Sequence, residues 1–209
     1  MLILGVSGKV GQAAAQIAAW KGARVIGVVR SAEAYQGHAS SAVEIVDSSS
    51  EDVAARVLEL TGGRGADGAI EAVGGAVGAA AASALAPGGT MLVYGLMSGE
   101  PIPVPVSDMI FKSLRIRGFW LADWARTAPE DVRRAVISEV FGLLAQGEID
   151  LPVSAVYDLA DIRDAVVAAD RRRRARRRQP GDGMLVLPAA QERLLASQGQ
   201  LAVGAGTDA

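Results

Sequence analysis

The chain opens on Leu2-Ile-Leu-Gly5-Val-Ser-Gly8-Lys-Val-Gly11, and no later stretch constrains its fold as strongly. A short apolar run leads into three glycines at spacings of three. The residues from Gln12 to Ala19 are small and helix-compatible, and Gly22 is placed to end their helix. This reads as strand, tight turn, helix. Gly5 permits a sharp exit from the strand, and Gly8 lets the backbone come close to a pyrophosphate. Gly11 lets the helix pack on the strand, while the helix N-terminus presents N–H groups and a positive dipole end to phosphates. Such a unit begins a dinucleotide-binding fold. The spacing is G-x-x-G-x-x-G, since Val6 occupies the usual first-glycine slot, and an ordinary tight turn is the competing reading of these residues alone.

Length and composition leave room for that fold. The 209 residues can build one core, with space for a second partial unit. Half are hydrophobic, only 4% are aromatic and 25 are glycine, which suits a buried parallel sheet with small-residue helix contacts. The Ala/Gly-rich stretch from Ala72 to Ala86 lacks the large apolar residues that membrane insertion needs, so no membrane helix is expected. No basic region precedes the apolar start, so no signal peptide is expected. Without cysteine, and with His38 as the single histidine, neither disulfides nor Cys/His metal sites are available. His38 reads as inert in a polar loop.

Taken in order, Val25-Ile-Gly-Val-Val29 between Arg24 and Arg30 has the pattern of a central parallel strand. Where such strands end, an Asp or Glu bonds the ribose 2′-hydroxyl. Here Arg30-Ser31 stands there, with Glu33 beyond, and a guanidinium suits a 2′-phosphate. A solvated arginine is the alternative. Val43 to Val46 is a third strand, followed by a helix from Ser50 to Leu60 stopped at Gly62-Gly63. Gly68 to Val73 forms a fourth strand ending in Gly74-Gly75. Ala76 to Ala86 reads as a helix closed by Pro87-Gly88-Gly89, and Thr90 to Tyr94 as a fifth strand. These units describe an α/β fold, a doubly wound parallel sheet of Rossmann type.

Pro101, Pro103 and Pro105 then demand an extended connection. Asp108 to Lys112 allows one helical turn, and Leu114 to Leu121 alternates apolar and basic residues as a half-exposed strand, able to pair with a second subunit at a sheet edge. Thr127-Ala-Pro-Glu130 has the form of a capping box before an amphipathic helix. That helix carries Val132, Val136, Val140, Ile137, Phe141 and Leu144 on one face and ends near Gly147. Val153 to Tyr157 reads as a strand, and Asp158 as the cap of a helix with Leu159, Ile162 and Val166. Met184 to Leu187 reads as a short strand, and the tail from Ala189 is expected to be disordered beyond one weak turn.

Three segments carry a family resemblance: Gly5-Val-Ser-Gly-Lys-Val-Gly11, Gly89-Thr-Met-Leu-Val-Tyr-Gly-Leu-Met97 and Ile110-Phe-Lys-Ser-Leu-Arg-Ile-Arg-Gly-Phe-Trp-Leu121. On these the chain resembles the nucleotide-binding half of the medium-chain dehydrogenase/reductase superfamily. It is similar to the zinc-free, quinone-reductase-like group, above all to the mitochondrial-type trans-2-enoyl-CoA/ACP reductases. The Tyr-Gly-x-Met turn and the Arg-Gly-Phe-Trp-Leu strand discriminate this branch better than the glycine turn. The likeness runs to about residue 170 and returns briefly at Met184 to Leu187.

The resemblance implies NADPH (NADP) as cofactor. It assigns Gly5, Ser7, Gly8, Lys9, Val10 and Gly11 to the pyrophosphate turn and Arg30 with Ser31 to the 2′-phosphate end. Tyr94, Gly95, Leu96 and Met97, with Phe119, Trp120 and Leu121, would line the nicotinamide side, where a packed aromatic core is the alternative. It further implies residues 1–127 as the NADP-binding domain, 128–188 as helices and a strand that in relatives return to a catalytic domain, and 189–209 as a tail. Relatives place a catalytic domain, with the proton-donating tyrosine, before the first nucleotide-binding strand. By no motif do Tyr35, Tyr94 or Tyr157 replace that tyrosine, and Gly183-Met184 stands where relatives carry a cofactor-reaching lysine. No catalytic residue is therefore assigned, and the isolated chain is expected to be inactive.

Two functions stay open. One is the NADPH-binding portion of an oxidoreductase acting on an enoyl thioester of fatty-acid synthesis, or on a quinone. The other is an inactive nucleotide-binding or dimerisation module. A homodimer is expected, in the cytoplasm or in an organelle where a targeting segment precedes the chain. Arg171 to Arg178 holds seven arginines, leaving 14 basic against 23 acidic residues elsewhere, a net charge of −9. Clustered guanidinium groups can contact nucleic acid, but no aromatic interleaves them and no binding motif accompanies them. The simpler reading is a solvated extension of the last helix.

Overall fold

A computed structural model describes residues 1–35, 43–151, 153 and 155–177, with side chains described as far as residue 169. Six parallel strands form one sheet in the order β3-β2-β1-β4-β5-β6. They are β1 (Leu2–Leu4), β2 (Val25–Val29), β3 (Val43–Asp47), β4 (Ala66–Glu71), β5 (Leu85–Val93) and β6 (Arg115–Gly118). Alternation of side chains along the strands supplies two cores. Leu2, Leu4, Ile26 and Val28 face one way, onto Val53 and Val57 of α2 (Val53–Leu60) and Ala81 and Ala82 of α3 (Gly75–Ser83). Ile3, Val25 and Val29 face the other way, with Ala15 of α1 (Lys9–Trp20). A strand buried on both faces must be apolar at every position, which is why β1 and β2 carry unbroken Leu/Ile/Val/Gly runs. The doubly wound α/β sheet expected from the sequence is the fold of this chain.

Element ends differ where tertiary pairing overrides propensity. The alanine-rich α3 stops at Ser83 and does not run on to Ala86. Leu85 is pulled into the sheet opposite Ala66, and Ala66 N–H donates to Ala84 O at 2.9 Å. Pro87-Gly88-Gly89 therefore does not close a helix. It forms a bulge inside β5, because pairing resumes only where Thr90 meets Gly68. Strand β4 likewise starts two residues before Gly68 and ends at Glu71, short of Val73.

Beyond β5 the proline-rich stretch is free of regular structure, as its missing donors require. Helix α4 (Val106–Phe111) follows, and then β6 at the sheet edge, with Ile116 against the core and Arg115 and Arg117 exposed. The strand expected to reach Leu121 ends at Gly118. Phe119 N–H makes one more bond to Val93 O at 2.8 Å, and Leu121 already begins α5 (Leu121–Thr127). The expected capping box does not form. Thr127 closes α5, its hydroxyl donating back to Asp123 O at 2.8 Å, and α6 (Glu130–Ala145) starts after Pro129 without a side-chain cap.

Val153 and 155–157 are not a strand; no sheet edge among the described residues meets them. Asp158 does cap the next turn, accepting from Ala160 N–H at 2.9 Å, and α7 (Ile162–Arg177) continues from it. The backbone of α7 carries the arginine run as helix through Arg177. His38, Arg178, the expected strand Met184 to Leu187 and the tail from Ala189 lie outside the described residues.

Candidate nucleotide site at the carboxyl edge of the sheet

Every strand of a parallel sheet points the same way, so residues that follow different strands gather at one edge. At this edge stand the glycine turn after β1, Arg30 and Ser31 after β2, Tyr94 to Met97 after β5, and Phe119 to Leu121 after β6. The strand order reverses between β1 and β4, which makes their carboxyl ends the topological switch point.

The glycine turn is built as its spacing suggests. Gly5 takes φ +67°, in the left-handed region, and Gly8 N–H donates to Gly5 O at 2.9 Å. At Gly11 a Cβ would stand 2.5 Å from Gly5 O and 2.8 Å from Val6 Cα, so only glycine lets α1 lie this close to the strand exit. No side chain caps the N-terminus of α1, and Ser7, Lys9 and Val10 around it are exposed. That is a fit to an anion: an uncapped helix start with a backbone close approach in front of it. Gln12, buried on the first turn, donates from Nε2 to Ser7 O at 3.0 Å and braces the turn from behind.

At the end of β2, Arg30 is exposed and Ser31 half-buried. The Ser31 hydroxyl accepts from Ala34 N–H at 3.3 Å and keeps its own proton to donate. The loop is held from β3, where Asp47 Oδ2 accepts from Ala32 N–H at 2.8 Å and Oδ1 accepts from Ser49 N–H at 2.8 Å and Oγ at 2.7 Å. Those bonds, the Ala32 amide foremost, hold the Asp47 carboxyl below the usual range. Asp47 is thereby occupied, Glu33 stands exposed within the loop itself, and Arg30 takes the position directly after β2.

Across the switch point Tyr94 is half-buried and Met97 exposed. Phe119 and Trp120 keep 37% and 42% of their surface, so they form an open wall and not a packed aromatic core. Burial, and to a lesser degree the charge of Glu71, pushes the Tyr94 hydroxyl up.

Glu71 is the residue that reading the sequence passed over. It ends β4 wholly buried, its Oε1 accepting from Val73 N–H at 2.5 Å and Gly74 N–H at 2.7 Å, with Oε2 unpartnered. Burial pushes its carboxyl up, against the pull of the two amides. In the sequence it looked like one polar residue in a strand, and the only signal was a carboxylate set directly before Ala-Val-Gly-Gly.

The chain has no cysteine and one histidine, and among the described residues no group of three His, Cys, Asp or Glu is placed to hold an ion. These residues do not fit a zinc site. Among the described residues no helix is long and apolar enough to cross a membrane.

Comparison with known proteins agrees with this geometry. Residues 10–140 match the model of the zinc-binding dehydrogenase family. The mitochondrial enoyl-[acyl-carrier-protein] reductase of Rattus norvegicus is 39% identical over 85 residues, covering 41% of this chain and 23% of that protein. A mycobacterial quinone oxidoreductase superposes with TM-score 0.72 at 30% identity, over 82% of this chain and 53% of its own. The quinone oxidoreductase of Escherichia coli, solved with NADPH, superposes with TM-score 0.63 at 27% identity, over 73% and 47% respectively. The matched region thus spans about half of these solved chains and about a quarter of the rat protein. The match covers well over half of the 209 residues, and the chain belongs to the zinc-binding dehydrogenase family, within the medium-chain dehydrogenase/reductase superfamily, among relatives of enoyl and quinone reductase type.

Proposed function

We propose that these residues form the NADPH-binding portion of an oxidoreductase that reduces an enoyl thioester or a quinone. One observation carries the reading: an uncapped glycine-turn helix start shares the carboxyl edge with Arg30 on one side and an open aromatic wall on the other. Ser7, Gly8, Lys9, Val10 and Gly11 would receive the pyrophosphate, and Arg30 with Ser31 the 2′-phosphate. Tyr94 to Met97 and Phe119 to Leu121 would bound the nicotinamide. When bound, the dihydronicotinamide supplies a hydride, and this chain's residues orient it. Residues 1–127 would be the binding domain and 128–188 elements that pack on a further body. The edge strand β6 offers a pairing surface for a homodimer. Mitochondrial relatives favour an organelle over the cytoplasm.

A titration followed by nicotinamide fluorescence tests this. NADPH is expected to bind more tightly than NADH, and Arg30→Ala to remove the difference. Equal affinity for the two cofactors in the parent chain would refute the NADP assignment.

A second reading, a nucleotide-binding module without turnover, is favoured by the open apolar face of α6, where Ile137 and Phe141 are 52% and 67% exposed. A substrate cleft completed by another body loses orientation and water exclusion without it. Mixing the chain with NADPH and a crotonyl thioester separates the two, since saturable loss of the nicotinamide absorbance excludes the module.

A further inference from the structure

The turn that follows β4 is tied to both halves of the candidate site. Toward the glycine turn, Val73 Cγ2 lies 3.7 Å from where a Cβ on Gly5 would stand. Toward the aromatic wall, Ala72 O accepts from Met97 N–H and Val73 O from Ser98 N–H, each at 2.8 Å. A Cβ on Gly95 would fall 2.8 Å from Ala72 Cβ, and one on Gly74 would strike Ser98 Oγ at 2.7 Å. The turn therefore acts as a buckle between the segment after β1 and the segment after β5.

What shapes the buckle is Glu71. Its Oε1 accepts from the consecutive amides of Val73 and Gly74, and Gly74 takes φ +83° just beyond. An apolar side chain would fill the same buried place but leave both amides without this acceptor. The adenosine end is held by separate groups, Asp47 on the Ala32 amide and Ser31 on the Ala34 amide. The two ends of the site are thus braced independently.

We propose that Glu71 is a positioning residue for the nicotinamide half of the site, setting the 72–75 turn, and through it the Tyr94–Glu100 segment, against the glycine turn. This rests on the nucleotide reading above. It touches no reacting atom; it acts through backbone that would.

The test titrates the full chain with NADPH, and separately with 2′,5′-ADP, which carries the adenosine end alone. Glu71→Ala is expected to weaken NADPH about tenfold while 2′,5′-ADP stays within about twofold, the loss of one buried and one partly buried hydrogen bond being felt at one end only. Glu71→Gln, whose amide oxygen can accept the same N–H bonds, is expected to bring NADPH back to within about threefold of the parent. Should the alanine variant not fold, Glu71→Thr, strand-compatible and too short to reach the Gly74 amide, takes its place. Equal weakening of both ligands, no weakening of either, or no rescue by glutamine overturns the proposal while leaving the nucleotide reading intact. Loss of fold in both the Ala and Thr variants overturns it too, because Glu71 would then hold the fold and not the site. A parent chain that binds neither ligand overturns the nucleotide reading and the proposal together.

Discussion

Helices α1 and α6 both carry apolar residues at helical spacing, yet only one of them has its apolar stripe closed. Helix α1 lies on the sheet, with Ala15 fully buried and Ala14 and Ala18 packed against the same core as Ile3, Val25 and Val29. Helix α6 is held at a few points. Lys21 pairs with Glu139 at 2.6 Å, and beyond the helix Gln16 exchanges two hydrogen bonds with the backbone of Asp150 at 2.9 and 2.7 Å. Leu143 is buried, but Val136, Ile137, Phe141 and Leu144 are open. Ile162, Val166 and Val167 on α7 are open as well. The contrast teaches that an amphipathic pattern specifies a face that can be covered, and says nothing about what covers it.

The sharpest way to break the comparison is to place the same methyl group in both helices. At Gly11 a Cβ meets backbone atoms at 2.5 and 2.8 Å, which cannot yield without moving α1 off the strand. Gly11→Ala is expected to cost on the order of 3 kcal/mol or more. At Gly142 in α6 a Cβ meets only the end of Gln146, at 4.0 Å. Gly142→Ala is expected to stabilise by roughly 0.5–1 kcal/mol through helix propensity. Urea unfolding of the two variants measures both signs, and a destabilised Gly142→Ala would mean that α6 is closed by something the open surface does not suggest.

Side-chain truncation gives the next largest contrast. Leu85 is 1% exposed and carries the start of β5, so Leu85→Ala is expected to lose roughly 2–4 kcal/mol. Phe141, 67% exposed, is expected to lose less than about 0.5 kcal/mol on truncation despite its larger size. Equal losses from the two would erase the distinction between the regions.

How much of this was legible follows the same division. β1, β2 and the glycine turn read directly, because a doubly buried strand must be apolar throughout and a close approach must be glycine. The gathering of Arg30, Tyr94 and Trp120 at one edge followed from parallel topology, without any contact being known. What escaped were decisions made by distant partners. Ala66 drew Leu85 out of an alanine-rich helix, and Thr127 bonded backward into α5 in place of capping α6. Val153 and 155–157 had a strand-like composition and, among the described residues, no edge to join. Glu71 escaped for a different reason, since its role depends on two amides that only the folded turn presents.

Within the closed region, Arg30 gives a smaller and more local effect. Its removal is expected to weaken NADPH by about 1.5–3 kcal/mol relative to NADH, the range of hydrogen bonds to charged groups, an effect larger than the change in the unfolding midpoint at this exposed position. Paired titrations of parent and Arg30→Ala check this. A variant that loses stability but keeps its preference would assign Arg30 to the fold.

The smallest expected effect is a slope against pH, and it tests whether the closed region tolerates a carboxyl at its centre. Burial raises the Glu71 carboxyl above its ordinary 4.5, so between the unfolded and folded values the folded chain holds a proton that the unfolded chain has released. The stabilisation from this group is complete below the unfolded value and is lost as pH rises through the folded one. Asp47 and Asp108 behave oppositely. The Ala32 amide and the Ser83 hydroxyl, respectively, hold their carboxyls down, so their contributions are present above the unfolded value and lost as pH falls. A profile of the parent alone mixes both signs, whereas Glu71→Gln removes one group and leaves the aspartates to cancel in the difference. Urea midpoints of the two proteins, measured from pH 4 upward, should therefore separate progressively in favour of the glutamine variant and then run parallel. Burial above all, and to a lesser degree the charge of Glu71, pushes the Tyr94 hydroxyl up, so Tyr94 adds no slope over the acid range where the carboxyls titrate. A constant gap would show that the Val73 and Gly74 amides offset burial fully, and that Glu71 sits as a carboxylate at no cost beneath the switch point.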